Sequence, residues 1–210
     1  LAFILAWIIN EFNPHVRGLL AFLFYSPALA GNVYFLWSIL FSGDSYGYVN
    51  SMLMSMGFIS YPIQWLKEPA YAMTIVIIVQ LWMGMGVSFL ANIAGLQNVN
   101  TELYEAGVID GITNRWQELW FVTLPLMKPQ LLLSAVLSIT GSFGVGDVIT
   151  GLCGFPSTNY SVHTIMNHLA DYGTIRYEMG YACAVAVVLF VLMVGTWLVI
   201  NRGLRRMSSE

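Results

Sequence analysis

Four predominantly apolar stretches of this 210-residue chain contain no Asp, Glu, Lys or Arg. They lie between Arg17 and Asp44, between Glu68 and Glu102, between Lys128 and Asp147, and between Glu178 and Arg202. A helix needs roughly 20 apolar residues to cross the hydrocarbon core of a bilayer, so each stretch is long enough to span one. No water hydrates an exposed backbone there, and helix satisfies every peptide group within one segment. The chain is therefore expected to be all-α, a polytopic transmembrane helical bundle. Composition agrees, with 58% hydrophobic residues against 9% charged and a mean hydropathy of +0.71, beyond what a soluble domain of this size uses. A net charge of -3 offers no basic surface, which sets nucleic acid aside as a partner.

The expected spans are about 1–10 (partial), 18–42, 70–97, 127–149 and 179–201, within a single transmembrane domain 1–210. The chain opens on Leu1 inside an apolar run, with neither a positive flank nor a small-residue cleavage site. That run is expected to be the inner end of a truncated span rather than a signal peptide. Cys153 and Cys183 fit neither metal nor redox spacing and are expected to be unpaired thiols.

Between the second and third long runs, Glu102, Glu105, Asp110, Arg115 and Glu118 crowd one segment. Each would cost about 2.5–3.5 kcal/mol at the membrane centre, which keeps the segment in water or at the interface. Alternating the spans puts Arg17, Arg115, Lys128, Arg202, Arg205 and Arg206 on one side and only Lys67 and Arg176 on the other. By the positive-inside rule the first side, with the C-terminus, is cytoplasmic. The outer connection 43–68 carries Tyr46, Tyr48, Phe58, Tyr61 and Trp65, the composition of an interfacial aromatic belt, and a short surface helix is expected in it. The other outer connection, from Gly151 to Glu178, contains Gly154, Pro156, Ser157 and Asn159 and reads as a turn followed by polar structure.

The segment 98–126 reads as a helix, a turn and a second helix. Asn98 or Asn100 can cap the first helix, Glu102 and Glu105 suit its opening turns, and Gly111 can supply a left-handed stop. Thr113 or Asn114 can cap the second, with Gln117 placed as in a capping box. Three-and-four spacing puts Trp116, Leu119 and Trp120 on one face. Leu124-Pro125 is expected to end that helix, and Pro129 to open the next span. Such a hairpin, joined to spans on both sides, can transmit a push from a cytoplasmic protein, although an amphipathic surface hairpin without a partner has the same pattern.

Glu105-Ala106-Gly107-x-x-Asp110-Gly111, followed by Leu124-Pro125, resembles the EAA loop of bacterial ABC importer permeases. Ala94-Gly95-Leu96-Gln97, Leu103-Tyr104-Glu105 and Thr123-Leu124-Pro125-Leu126, together with Trp37, Tyr46-Gly47 and Asn50 upstream, are similar to the carbohydrate-uptake branch. The resemblance implies a multi-pass permease of the bacterial inner membrane, with a type I importer fold and an earlier N-terminal span. It implies that Glu105, Ala106, Gly107, Asp110, Gly111, Leu124 and Pro125 form a coupling element that docks on an ATPase. It also implies as partners a second permease, two ATP-binding cassette subunits that hold the ATP and Mg, an extracellular solute-binding protein and membrane lipid. Gly107 departs from the second alanine of EAA, Ile112 from the alanine after Asp-Gly, and Gly154-Phe155-Pro156 from the family's Gly-Gly-Pro.

No Gly-Lys-Ser or Gly-Lys-Thr occurs, so the sequence has no P-loop. The chain is expected to bind no cofactor or metal of its own and to be a transport subunit rather than an enzyme. His163 and His168 are five apart, which fits no common two-histidine ligand spacing on a helix. Gln80 and Gly84 share a helix face, and Ser134, Ser138, Ser142 and Gly146 form a stripe at steps of four that close helix packing also explains. By position relative to the EAA loop, the resemblance places Gln80, Gly84, Thr140, Gly141 and Gly144 along the substrate path. Trp82 can stack on a sugar or pack against protein or lipid. Asp147 reads as an interfacial acid or a gating residue. A sugar or oligosaccharide is the expected cargo, with another polar solute, or ion-coupled secondary transport, as alternatives. Ion coupling would favour intramembrane acids or broken helices in repeated halves, and only Asp147, at the edge of its span, points that way. An intramembrane enzyme would need a base beside the serine stripe, and none is there.

Overall fold

The computed structural model describes residues 1–29 and 33–206, and their regular secondary structure is helical, with no strand among them. The helices are α1 (Ala2–Asn10), α2 (Pro14–Leu29), α3 (Val33–Leu40), α4 (Tyr48–Ser55), α5 (Pro69–Gln97), α6 (Thr101–Ile109), α7 (Arg115–Glu118), α8 (Leu124–Leu126), α9 (Lys128–Ser142), α10 (Val145–Cys153), α11 (Ile165–Ala170) and α12 (Met179–Arg206). Two π turns, Leu119–Thr123 and Asp171–Ile175, and a 3₁₀ turn, Thr158–Tyr160, complete the order. Residues 30–32 of the expected span 18–42 lie outside the described residues. So do the tail beyond 206 and the side chains of Arg205 and Arg206.

Among the described residues two helices are long and apolar enough to cross a membrane, Pro69–Gln97 and Met179–Gly203. At 1.5 Å per residue the first extends about 44 Å, more than the ~30 Å of hydrocarbon. The expected span 127–149 is not one helix. It breaks at Phe143 and Gly144, between α9 and α10, where the Gly144 N–H turns back to the Gly141 carbonyl (3.0 Å). Two glycines within four residues weaken the helix there. The break corrects the expectation of a continuous span there.

The chain divides into two compact units, one of residues 1–28, 84–140 and 191–210, the other of residues 29–83 and 141–190. The first is centred on Ala6, Ile9, Phe89, Ile93, Leu96 and Met127, with Trp7, Phe24 and Leu131 against them. The second is centred on Ala72, Ile75, Val76, Val79, Val148, Ile149, Leu152 and Val162, with Tyr34, Trp37 and Trp65 packed on it.

In the second unit the connection 43–68 is organised by Asn50, which is fully buried. Its Nδ2 donates to the carbonyls of Ser42, Asp44 and Ile63 (3.1, 3.1 and 3.0 Å), and its Oδ1 accepts from Ile63 N–H (3.1 Å) and Trp65 Nε1 (2.8 Å). Tyr46, Tyr48, Phe58 and Tyr61 are exposed, while Trp65 turns inward. In the connection after α10, Gly154 has φ +76°, and a cis peptide follows between Phe155 and Pro156.

Candidate functional site

The hairpin 98–126 belongs wholly to the first unit. Its first arm, α6, is capped at Asn100, whose Oδ1 accepts from the Glu102 N–H (3.1 Å) while its Nδ2 reaches the Glu102 carboxylate (3.0 Å). The other end closes as a Schellman motif. Ile112 N–H bonds the Gly107 carbonyl (2.9 Å) and Gly111 N–H the Val108 carbonyl (3.2 Å), with Gly111 at φ +94°. Asn114 then caps α7 by accepting from the Trp116 N–H (3.1 Å), and Gln117 Oε1 reaches back to the Thr113 N–H (3.2 Å).

Pro125 does not end the second arm. The helix runs from Arg115 through the π turn to Leu126 and breaks at Met127, and α9 leaves at 78° to it. The π turn is braced by the Thr123 hydroxyl, which donates to the Glu118 carbonyl (3.3 Å) and lies 3.3 Å from the Tyr104 hydroxyl on α6. Trp116 and Trp120 are exposed, but Leu119, expected on the same face, is buried. The wider π turn rotates the face that a regular helix would have shown.

Between the arms lies an open cleft of about 660 Å³, lined by Ala106, Gly107, Asp110, Gly111, Phe121 and Pro125 among others. Five of the seven sequence-selected loop residues therefore meet at one cavity. Glu105 faces elsewhere, into a cleft of about 690 Å³ shared with Arg17, Tyr104, Arg115 and Glu118. Leu124 lines neither. The sequence reading did not select Val108 and Ile109, which are 67% and 86% exposed at the hairpin's tip. The available signal was a pair of apolar residues inside a charged segment.

Among the residues placed on the substrate path, Gln80, Gly141 and Gly144 belong to the second unit. There Gln80 Nε2 donates to the Gly141 carbonyl (3.0 Å), the same oxygen that receives Gly144 N–H. Gly84 and Thr140 belong to the first unit. Gly84 has open space where a side chain would stand, and the Thr140 hydroxyl bonds back to the Val136 carbonyl (2.9 Å). Trp82 packs edge-on against Trp37, with centroids 5.4 Å apart. Asp147 is exposed in the first turn of α10, where the helix dipole favours a carboxylate.

His163 and His168 lie edge to face at 5.8 Å in an aromatic cluster with Phe155, Tyr160, Tyr172 and Tyr181. Both cysteines are free. Among the described residues no three His, Cys, Asp or Glu side chains group as a metal site would require.

This architecture is that of an ABC importer permease. It is similar to a chain of the bacterial ABC transporter involved in the import of the acidic polysaccharide alginate, with a TM-score of 0.77 and 26% identity over 98% of this chain and 71% of that one. The chain belongs to the family of binding-protein-dependent transport system inner membrane components, which it matches over residues 1–205. It is 33% identical over 204 residues to the lactose transport system permease protein LacF of Rhizobium radiobacter, covering 92% of this chain and 65% of that one. It is 29% identical over 192 residues to the arabinooligosaccharides transport system permease protein AraP of Bacillus subtilis, covering 90% and 60%. The chain thus spans less than two thirds of the length of either permease.

Proposed function

We propose that this chain is the transmembrane permease of an ATP-driven importer for a sugar or oligosaccharide, and that the hairpin 98–126 is its coupling element. The observation that carries this reading is the hairpin's construction. Its two arms are capped at their starts, the first is closed by a Schellman turn, and the second stands at 78° to α9. If α9 crosses the bilayer, the second arm lies along the membrane surface, and the first arm offers the apolar tip Val108 and Ile109 to a partner. Family membership and the names of relatives, which concern lactose and arabinooligosaccharides, support a carbohydrate cargo.

In this mechanism an external solute-binding protein delivers the cargo and a second permease completes the path. Two ATPase subunits, which hold ATP and Mg, close and push on the hairpins, and the membrane helices change state by rigid-body motion. Glu105, Ala106, Gly107, Asp110, Gly111, Leu124 and Pro125 form the docking and hinge set. Gln80, Gly84, Thr140, Gly141 and Gly144 contact the solute. The hairpin and the C-terminus face the cytoplasm, as the distribution of Arg and Lys supports.

Reconstitution with the neighbouring ATPase, second permease and binding protein tests the reading. Uptake of a labelled oligosaccharide is expected to require ATP, and Glu105→Lys is expected to leave membrane insertion intact while uncoupling transport from hydrolysis. Uptake without ATP, or labelling of Glu105→Cys from outside intact cells, would overturn it.

A further inference from the structure

A second set of contacts ties the hairpin to α1 within the same unit. Arg115 Nη1 is held by both carboxylate oxygens of Glu118 (2.8 and 2.9 Å), which leaves Nη2 to reach Glu11 at the end of α1 (3.4 Å). The next residue, Trp116, meets Trp7 of α1 with ring centroids 5.7 Å apart at 44°. Two consecutive residues in the first turn of α7 therefore both grip the last turns of α1. Close by, the approach is open: the cleft of about 690 Å³ is lined by Trp7, Glu11, Arg17, Tyr104, Glu105 and Arg115 among others.

Trp7 is not a surface ornament. It packs on the unit's core of Ala6, Ile9, Phe89, Ile93, Leu96 and Met127. Met127, with no exposed surface, is the residue at which the second arm breaks from α9. The second arm thus reaches the core at two places, its elbow through Met127 and its far end through Trp116 and Trp7. A lever held at both ends moves what it is attached to, whereas one held only at the elbow can swing freely. An ion pair as exposed as Glu11 with Arg115 adds little to stability. Its use is to fix where the end of the arm sits.

We infer that Arg115 and Trp116 form a latch that passes the hairpin's movement to α1, with Glu11 and Trp7 as receivers and Arg115 as a positioning residue. The inference rests on the coupling role proposed above and adds a second output for it, distinct from the docking residues.

The test uses the complete transporter in proteoliposomes and reads solute imported per ATP hydrolysed. Glu11→Arg and Arg115→Glu are each expected to lower that ratio at least about fivefold, the lower end of ordinary coupling between sites. The combined exchange, made together with Glu118→Arg so that opposite charges again face each other at both of the contacts of residue 115, is expected to return it to within about twofold of the parent. Singles that keep the parental ratio overturn the latch, as does a combined variant that assembles normally but stays as uncoupled as the singles. If the reversed charges prevent assembly, Trp116→Ala and Trp116→Phe carry the test. The phenyl ring is expected to preserve the ratio and alanine to lower it, and equal ratios overturn the latch. Absence of ATP-driven uptake by the parent transporter would instead sink the functional reading on which the latch depends.

Discussion

Gly107 and Ile112 occupy each other's space. A Cβ at position 107 would stand 3.1 Å from Ile112 Cδ1 and 3.3 Å from Val122 Cγ2, while the Ile112 N–H bonds the Gly107 carbonyl at 2.9 Å. These are the two positions at which the loop departs from the EAA pattern, one losing a methyl group and the other gaining a branched chain. The departures form one substitution in three dimensions: the larger residue after Asp110-Gly111 fills the place the missing side chain leaves.

Gly107→Ala alone is therefore expected to destabilise the protein by about 1 kcal/mol. Crowding costs about 1–3 kcal/mol, and the better helix propensity of alanine offsets about 1 kcal/mol of it. Adding Ile112→Ala removes the obstruction, so the double variant should be more stable than the sum of the single changes allows. Thermal unfolding of the four proteins in detergent measures this coupling. Strictly additive changes would contradict the contact.

Gly111→Ala tests the turn itself. At φ +94° an L side chain is strained whatever room surrounds it, and a left-handed conformation costs roughly 1–2 kcal/mol. The loss falls on the Schellman closure, so amide exchange should quicken at the end of α6 and in the turn that closes it, at Val108 to Ile112, before it changes in α5. Unchanged protection there would mean that the turn is held by something other than glycine.

Asn50 is expected to be the least replaceable polar residue of the second unit. Asn50→Leu leaves three carbonyls, one backbone N–H and the Trp65 indole without their partner in a part-buried place. Each buried group so stranded costs about 1–3 kcal/mol, and a total loss of about 3 kcal/mol or more follows even if some groups find new partners. Trp65 fluorescence should shift to the red as the indole is released. A thermal midpoint within a degree or two of the parent's would refute the assignment.

The sequence carried the parts of this structure that depend on local chemistry. Asn100, Asn114 and Gly111 act at their helix ends as their side chains, or lack of one, dictate, and the uncharged runs after Glu68 and Glu178 became the two long apolar helices. Features that depend on tertiary partners were not legible. The π turn, in which the Thr123 hydroxyl bonds the Glu118 carbonyl, carries the helix past Pro125, and Leu119 within it is buried. Hydropathy cannot see the break at Phe143 and Gly144, because every residue there is uncharged. Asn50 stood out only by resemblance, since its five hydrogen-bond contacts come from backbone and indole groups as many as fifteen residues away. In the loop, the resemblance to the EAA pattern selected residues of one cleft but gave no sign that Glu105 faces another.

Gln80 separates a structural role from a transport role. Its amide nitrogen holds the Gly141 carbonyl at the end of α9, next to the break, so Gln80→Leu is expected to cost about 1 kcal/mol of stability. The proposed solute contact predicts a second effect that the clasp alone does not. With the side-chain oxygen gone, KM for uptake should rise several-fold while the maximal rate per assembled transporter stays near the parental value, the signature of binding lost equally from ground and transition states. Initial uptake rates over a range of binding-protein-delivered solute, normalised to the amount of assembled complex, measure both. A fall in thermal midpoint with KM unchanged would leave Gln80 a clasp for the helix break and remove it from the solute path.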